Sequence, residues 1–285
     1  MTDLQTQFTR HPWNTSFEWQ PARRSPDFLT ADQATQFDER GFVVVEAALD
    51  SADVAGVREE IDGFEEATEA FLRSRDDERM TIAEAGAITF TTHLVTRSAA
   101  LRSFAAHPVF TAMCADLVGP DVNLYWDQAV YKKPEKPRRF PWHQDNGYTF
   151  VEPQQYLTCW VPLTDATSEN GCPQVATGLH RLGTLKHRYV DPLGFECFSD
   201  PPEAVAAPAA VGDVVVFSSL TPHLTGPNTT DAVRKAYILQ YAPAGARTQL
   251  GDPRSGPPSE ERLCDDPGRQ FAVVRDGRRV DPPAG

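Results

Sequence analysis

His143 and Asp145 stand two apart in Phe140-Pro141-Trp142-His143-Gln144-Asp145. In extended backbone, residues i and i+2 point to one face, so an imidazole and a carboxylate at this spacing can converge on one ion. The pair alone carries little weight, because seven histidines in a chain this acidic give roughly even odds of one such spacing by chance. A second segment adds to it. Gly212-Asp213 reads as a turn before the apolar run Val214–Phe217, and the polar, Pro222-containing stretch that follows ends at His223. A strand ending beside the dyad can bring a third ligand to the mouth of a barrel. Two imidazoles and one carboxylate leave three coordination positions open, an arrangement suited to non-haem Fe(II) oxygenases.

Open positions call for a filler, and Arg234 follows His223 where the next apolar run begins. A guanidinium is a planar fork that pairs bidentately with a carboxylate and keeps its charge when partly buried. It can hold the distal carboxylate of a keto-diacid whose other end meets the metal. Without the three ligands, an ordinary surface ion pair would be the better reading of Arg234.

These residues need a frame. Asp32 through Phe37 read as a short helix, and Phe42–Val45 as a buried strand. Asp50 or Ser51 can cap a helix with Val54, Val57, Ile61 and Phe64 on one face. Dense charge over 65–85 reads as a solvated helix or loop, and His107–Leu117 as a helix stopped by Gly119-Pro120. Beyond Pro120, short β-type runs separated by turns (Val122–Tyr131, Leu157–Leu163, Val214–Phe217, Lys235–Tyr241) predict an antiparallel sandwich or jelly roll. The chain carries no GxGxxG and no GxxxxGK[ST], so a dinucleotide-binding or P-loop fold has no support. The expectation is one catalytic domain over 1–285, with an N-terminal arm (1–30), lid or substrate loops at 64–95 and 183–210, and a tail (250–285) that is irregular apart from Phe271–Val274.

Hydrophobic content of 40% is enough for a core in a chain of 285 residues. A formal charge of −13 opposes nucleic acid and anionic membranes as partners, leaving a small-molecule substrate. There is no long apolar run and no signal-peptide layout at the N-terminus, so a cytoplasmic location is expected. Five cysteines without a CxxC pair speak against disulfides and thiolate zinc.

The chain resembles the phytanoyl-CoA dioxygenase family of Fe(II)/2-oxoglutarate oxygenases over roughly residues 35–245. The likeness rests on Glu39-Arg40-Gly41-Phe42-Val43-Val44-Val45, on Trp142-His143-Gln144-Asp145, and on Glu169-Asn170-Gly171-Cys172-Pro173 leading to Gly178-Leu179-His180-Arg181. His223-Leu224-Thr225-Gly226-Pro227-Asn228-Thr229-Thr230 followed by Arg234 is its most specific part. The resemblance implies a mainly β fold with flanking helices, the double-stranded β-helix or cupin-like jelly roll. It implies His143, Asp145 and His223 as metal ligands and Arg234 as the 2-oxoglutarate anchor, with Thr225 offering a hydroxyl to the cosubstrate. Tyr131 matches a cosubstrate-contacting position often held by Asn. Trp160 matches an aromatic that lines the cosubstrate pocket, although a strand Trp is equally compatible with the core. Fe(II), 2-oxoglutarate and O2 are the implied cofactors, with ascorbate as a stimulant. Asp145 stands where halogenating relatives have a small residue, which implies hydroxylation or oxidation to a ketone.

His180, where Leu179 replaces the Ser of the family's Gly-Ser-His turn, and His187 lack a carboxylate two away and read as structural. His11, His93 and His107 read as non-catalytic. Acids and hydroxyls in 64–95, in 183–205 and near Asn146, Tyr148 and Phe150 suggest a polar, cationic substrate such as an aminoglycoside or basic amino acid. Two other readings stand beside the oxygenase. One is a non-catalytic metal-binding cupin-type module, which would have no need of Arg234 with Thr225. The other is a metal-independent isomerase, which chelators would leave active.

Overall fold

Thr30 opens the first helix, α1 (Ala31–Arg40): its hydroxyl accepts from the Gln33 N–H while the Gln33 side chain accepts from the Thr30 N–H. The helix stops at Gly41, whose φ is 82° and where a Cβ would sit 2.6 Å from His180 Nδ1. Conformation and space both select glycine there. The computed structural model describes residues 8–23, 26–201 and 203–283. Parts of the expected arm (1–7, 24, 25), of the 183–210 loop (202) and of the tail (284, 285) lie outside the described residues.

Three more helices follow among the described residues: α2 (Ser51–Arg73), capped by the Asp50 side chain, α3 (Ala99–Ala105) and α4 (Pro108–Leu117). In chain order the strands are β1 (Phe42–Val45), β2 (Arg79–Met80), β3 (Ala83–Glu84), β4 (Ile88–Thr92), β5 (Val122–Lys132), β6 (Val151–Glu152), β7 (Leu157–Pro162), β8 (Pro173–Val175) and β9 (Arg188–Val190). The remainder are β10 (Gly194–Glu196), β11 (Val205–Ala206), β12 (Val214–Ser218), β13 (His223–Thr225), β14 (Arg234–Pro243), β15 (Arg247–Leu250), β16 (Glu260–Leu263), β17 (Ala272–Arg275) and β18 (Arg278–Arg279).

The large sheet has the order β1-β12-β7-β14-β5-β4-β3-β2, with β17 added beside β5, and its paired strands are antiparallel. A smaller sheet, β11-β8-β13, lies opposite. Alternation along the long strands divides the side chains between two cores. Val214, Val216, Tyr237, Leu239 and Tyr241 join Val54, Ile61 and Phe110 of the helices, while Val215, Phe217, Ala236, Ile238 and Trp160 turn inward toward the small sheet. The double-layered β architecture with helices outside is the expected jelly roll.

Three expectations are corrected. Residues 65–73 take the helical of the two readings, as the last turns of α2, but they are not wholly solvated: Glu65 is buried, with Thr89 donating to it at 2.7 Å and Lys133 pairing with it at 2.9 Å. A lid spanning 64–95 is therefore reduced to the hairpin β2–β3, since β4 is an inner strand of the large sheet. The tail also builds structure: β16 pairs with β15, and β17 carries Val273 and Val274 into the main core beside β5. Burial of that apolar run outweighs the surrounding Pro, Gly and charge. The third correction concerns the dyad, which lies outside any regular strand. His143 makes an isolated antiparallel bridge, and Asp145 begins a 3-10 turn (Asp145–Gly147).

Asp127 on β5 is wholly buried on the helix side, accepting from Tyr237 Oη at 2.9 Å and the Val95 N–H at 3.2 Å. Burial raises its pKa from 3.8 to about 6, against the pull of the Tyr237 hydrogen bond. A raised carboxyl favours folding while protonated, so its contribution is full below pH ~4 and is lost as pH rises through 6. Asp127→Asn, which stays neutral, should gain roughly 2–3 kcal/mol relative to the wild type between pH 4 and pH 7. Urea unfolding of both proteins at the two pH values tests this; a difference that does not change with pH would refute it.

Candidate metal centre

The centre is built on one backbone pairing. The His143 N–H donates to His223 O at 2.9 Å and the His223 N–H returns a bond to His143 O at 2.8 Å. Residues that exchange both bonds lie directly opposite, so their side chains share a face. The rings accordingly stand 4.2 Å apart, centre to centre. Phe140 N–H donates to Thr225 O at 2.8 Å, which extends the pairing by one step and joins the dyad segment to the small sheet.

Each imidazole is oriented by its own neighbourhood. His143 Nδ1 lies 2.9 Å from Pro141 O, and His223 Nδ1 lies 3.0 Å from Thr221 O. A carbonyl only accepts, so the proton sits on Nδ1 in both rings and the Nε2 lone pairs are free. Burial, reinforced by His223, holds the His143 pKa well below its usual value, which keeps that ring neutral. Asp145 Oδ1 faces both nitrogens, 3.8 Å from His143 Nε2 and 3.9 Å from His223 Nε2. Its other oxygen accepts from Thr158 Oγ1 at 2.6 Å. One ligand atom from each residue lies within 4.8 Å of the others, the mark of a group able to hold one cation.

Two residues outside the triad hold the turn that aims Asp145. Gln144 is completely buried, donating to Gly183 O and Leu220 O and accepting from the Leu185 N–H. His187 Nε2 accepts from the Gln144 N–H at 3.0 Å, and its ring packs where a Cβ on Gly147 would fall 2.1 Å away. Only glycine lets that ring approach.

Behind the triad the cavity narrows onto Trp160, Thr225 and Arg234. Arg234 is 1% exposed, with Cζ 5.2 Å from the centre of the Trp160 ring. Its Nη1 makes a long bond of 3.4 Å to Val130 O, and Nε and Nη2 have no partner among the described residues. Burial lowers its pKa only to about 10, so it remains charged at neutral pH. Lys132, its cross-strand partner, spends its ammonium on the carbonyls of Arg138, Thr225 and Gly226. A buried cation with two free donors is costly unless an anion meets it, so the end of this cavity fits a carboxylate.

His143, Asp145, His223, Thr225, Trp160 and Arg234 therefore come together, and Tyr131 does not. On β5 the cavity receives Gln128 and Val130. Tyr131, one residue out of phase, faces α2, where its hydroxyl donates to Asp62 at 2.6 Å. Asn146 is also structural, bonding Thr184 and Val151, and Phe150 packs on His11 and Trp13 away from the triad. Sequence reading missed the roles of Thr158 and Gln144, which carry no motif because their partners are remote in the chain, and His187 is structural as expected.

The second cavity, about 380 Å³, opens from His143 and Asp145 toward the hairpin β2–β3. It corrects the expectation of an acidic pocket: Asp145 is the sole carboxylate among its lining residues. The acids of the neighbouring segments are engaged elsewhere, Glu69 by Arg73, Glu84 by Arg138 and Glu196 by Arg139.

The phytanoyl-CoA dioxygenase (PhyH) family model matches residues 37–236. The chain belongs to the phytanoyl-CoA dioxygenase family. It is thereby one of the non-haem iron, 2-oxoglutarate-dependent dioxygenases. Among curated members it is 25% identical over 225 residues to the 2-aminoethylphosphonate dioxygenase of uncultured bacterium HF130_AEPn_1, covering 75% of this chain and 82% of the relative. It is 24% identical to the ectoine dioxygenase of Bordetella parapertussis, covering 75% of this chain and 76% of that one. The structure resembles EvdO2 from Micromonospora carbonacea var. aurantiaca complexed with 2-oxoglutarate (TM-score 0.61, 26% identity, 80% of this chain and 96% of that one). It shares its fold with the epimerase SnoN in complex with Fe3+, alpha ketoglutarate and nogalamycin RO (TM-score 0.65, 23% identity, 85% and 97%). Among the described residues no helix is long and apolar enough to cross a membrane.

The Thr158 bond leaves Asp145 Oδ1 as the oxygen turned to the two imidazoles. Thr158→Val should weaken binding of a divalent metal about 10- to 100-fold while leaving the fold intact. Isothermal titration with Mn(II) and circular dichroism check both halves; unchanged metal affinity would show that the hydroxyl does not orient the carboxylate.

Proposed function

We propose that the chain oxidises an unactivated C–H bond of a small organic molecule, by hydroxylation or by oxidation to a ketone. In this reading His143, Asp145 and His223 hold Fe(II), and Arg234 with Thr225 holds the distal carboxylate of 2-oxoglutarate. The observation that carries it is Arg234: a buried, charged guanidinium with two free donors beside three converging ligand atoms. A metal-binding module without catalysis has no use for that cation, and a metal-independent isomerase has no use for the three facing ligand atoms.

When bound, the iron supplies the redox chemistry that couples decarboxylation of 2-oxoglutarate to oxidation of the substrate, with O2 as the oxidant. The protein's part is placement. The Nδ1 hydrogen bonds fix the orientation of both rings and aim their Nε2 atoms inward, and Thr158 holds the carboxylate. Trp160, Phe217 and Ile238 wall off water around the guanidinium, which strengthens its pairing with a carboxylate. Two binding directions result, the cosubstrate toward Arg234 and the substrate toward the larger cavity, meeting at the triad.

Asp145→Ala and His223→Ala should abolish succinate formation. Arg234→Ala should raise the 2-oxoglutarate concentration needed for half-maximal turnover by roughly 100-fold, the scale for removing one member of a buried charged pair. Succinate release measured against 2-oxoglutarate with Fe(II) present tests all three. An Arg234→Ala protein with a normal cosubstrate requirement, or wild-type turnover that survives a chelator, would sink the proposal.

A further inference from the structure

The larger cavity points to a class of substrate, an inference that rests on the oxygenase reading above. Its wall is aromatic: Phe90, Tyr125, Trp126, Phe140, Tyr148 and Tyr156 line it between the triad and the hairpin β2–β3. Two of these are consecutive in the chain, which regular alternation would forbid. The register explains them. Gln240 pairs with Trp126 but Tyr241 pairs with Leu124, so Tyr125 is an extra residue in β5. A bulge re-aims a side chain, and here both Tyr125 and Trp126 reach the cavity.

The aromatic wall continues outward as a connected series. Phe140 packs 4.7 Å from the His143 ring and stacks on Tyr148 at 6.2 Å; Tyr148 meets Phe195 at 5.4 Å, and Phe195 meets Tyr189 at 5.6 Å. At the rim Met80, Tyr189 and Phe195 are 47%, 50% and 36% exposed, three of the six large apolar side chains so exposed among the described residues. The Phe195 N–H donates to Tyr148 Oη, which ties the hairpin β9–β10 to the cavity wall.

Charge is as informative as shape. No lysine or arginine lines the cavity, and its one carboxylate belongs to the triad. The cations near the mouth are already paired, Arg79 with Asp191, Arg138 with Glu84 and Arg139 with Glu196. A phosphonate entering this space would meet no cationic side chain, and an ammonium would meet no carboxylate beyond the triad's Asp145, so burying either charge is unfavourable. Neutral groups are supplied instead: Thr92, Thr149, Gln128 and Gln240, the last with a side-chain amide that has no protein hydrogen bond among the described residues. We infer that the substrate is an uncharged, oxygenated fused-ring molecule. Its rings lie along Trp126, Phe140 and Tyr148, its oxygens meet the neutral amides and hydroxyls, and about 380 Å³ is available to the part that enters.

The test measures binding to protein loaded with Co(II) and 2-oxoglutarate, so that it does not depend on turnover. The probes are 1,8-dihydroxyanthraquinone, 2-aminoethylphosphonate and kanamycin, followed by quenching of tryptophan fluorescence and by isothermal titration. The anthraquinone is expected to bind at least tenfold more tightly than either charged probe, and Trp126→Ala to weaken it tenfold or more. Gln240→Arg should reverse the preference toward the phosphonate. Tighter binding of a charged probe, equal anthraquinone binding by Trp126→Ala, or no anthraquinone binding by protein that takes up 2-oxoglutarate would overturn the inference. Failure to take up 2-oxoglutarate at all would instead overturn the oxygenase reading on which it rests.

Discussion

The two hydrogen bonds exchanged between the backbones of His143 and His223 are the constraint on which the site depends. They join segments eighty residues apart into a directly opposed pair, so the two imidazoles share a face without any side chain having to reach. A slip of one residue would send one ring to the opposite side. The surrounding bonds defend this register. Phe140 pairs with Thr225, Gln144 ties its turn to Gly183, Leu185 and Leu220, and Lys132 clamps the carbonyls just after His223. These are buried polar groups with their bonding satisfied, and removing one leaves its partners unpaired.

Arg234 stands apart because its bonding is left incomplete. Other buried charges have their bonding met: Glu65 meets Lys133, Glu196 meets two arginines, and Arg102 donates to three carbonyls. Arg234 has no carboxylate, and burial together with the nearby guanidinium pushes the pKa of its neighbour Lys132 well below the usual value. A buried guanidinium without a counter-ion lowers stability, and in the proposed reading a dianionic cosubstrate relieves it. The larger cavity on the other side of the triad has no positive side chain and an aromatic wall. Charge thus divides the interior into an end that fits a carboxylate and an end without positive side chains, which in the proposed reading would keep cosubstrate and substrate from exchanging places.

Alternation along the strands distributes these roles. Thr158 and Trp160 on β7, Gln128 and Val130 on β5, and Arg234, Ile238 and Gln240 on β14 all face inward, while the intervening residues pack under the helices. Tyr131 falls on the helix side for the same reason, despite matching a cosubstrate position in the family pattern. The bulge at Tyr125 breaks the phase of β5 against β14, and it lies where the cavity gains its second consecutive aromatic.

The sequence by itself determined the fold class, the long core strands and three of the four helices, and the triad together with Arg234, Thr225 and Trp160 as one group. Alternating apolar runs, capping residues and fixed local spacings such as His143-x-Asp145 are short-range signals, and the family pattern binds the distant ones into a set. Several things were legible only in the folded chain. The side of the sheet on which Tyr131 falls, the bulge at Tyr125, the pairing of Glu65 with Lys133, and the support from Thr158, Gln144 and His187 all depend on how distant segments pair. Register is set by long-range packing between faces, and no local residue pattern records it.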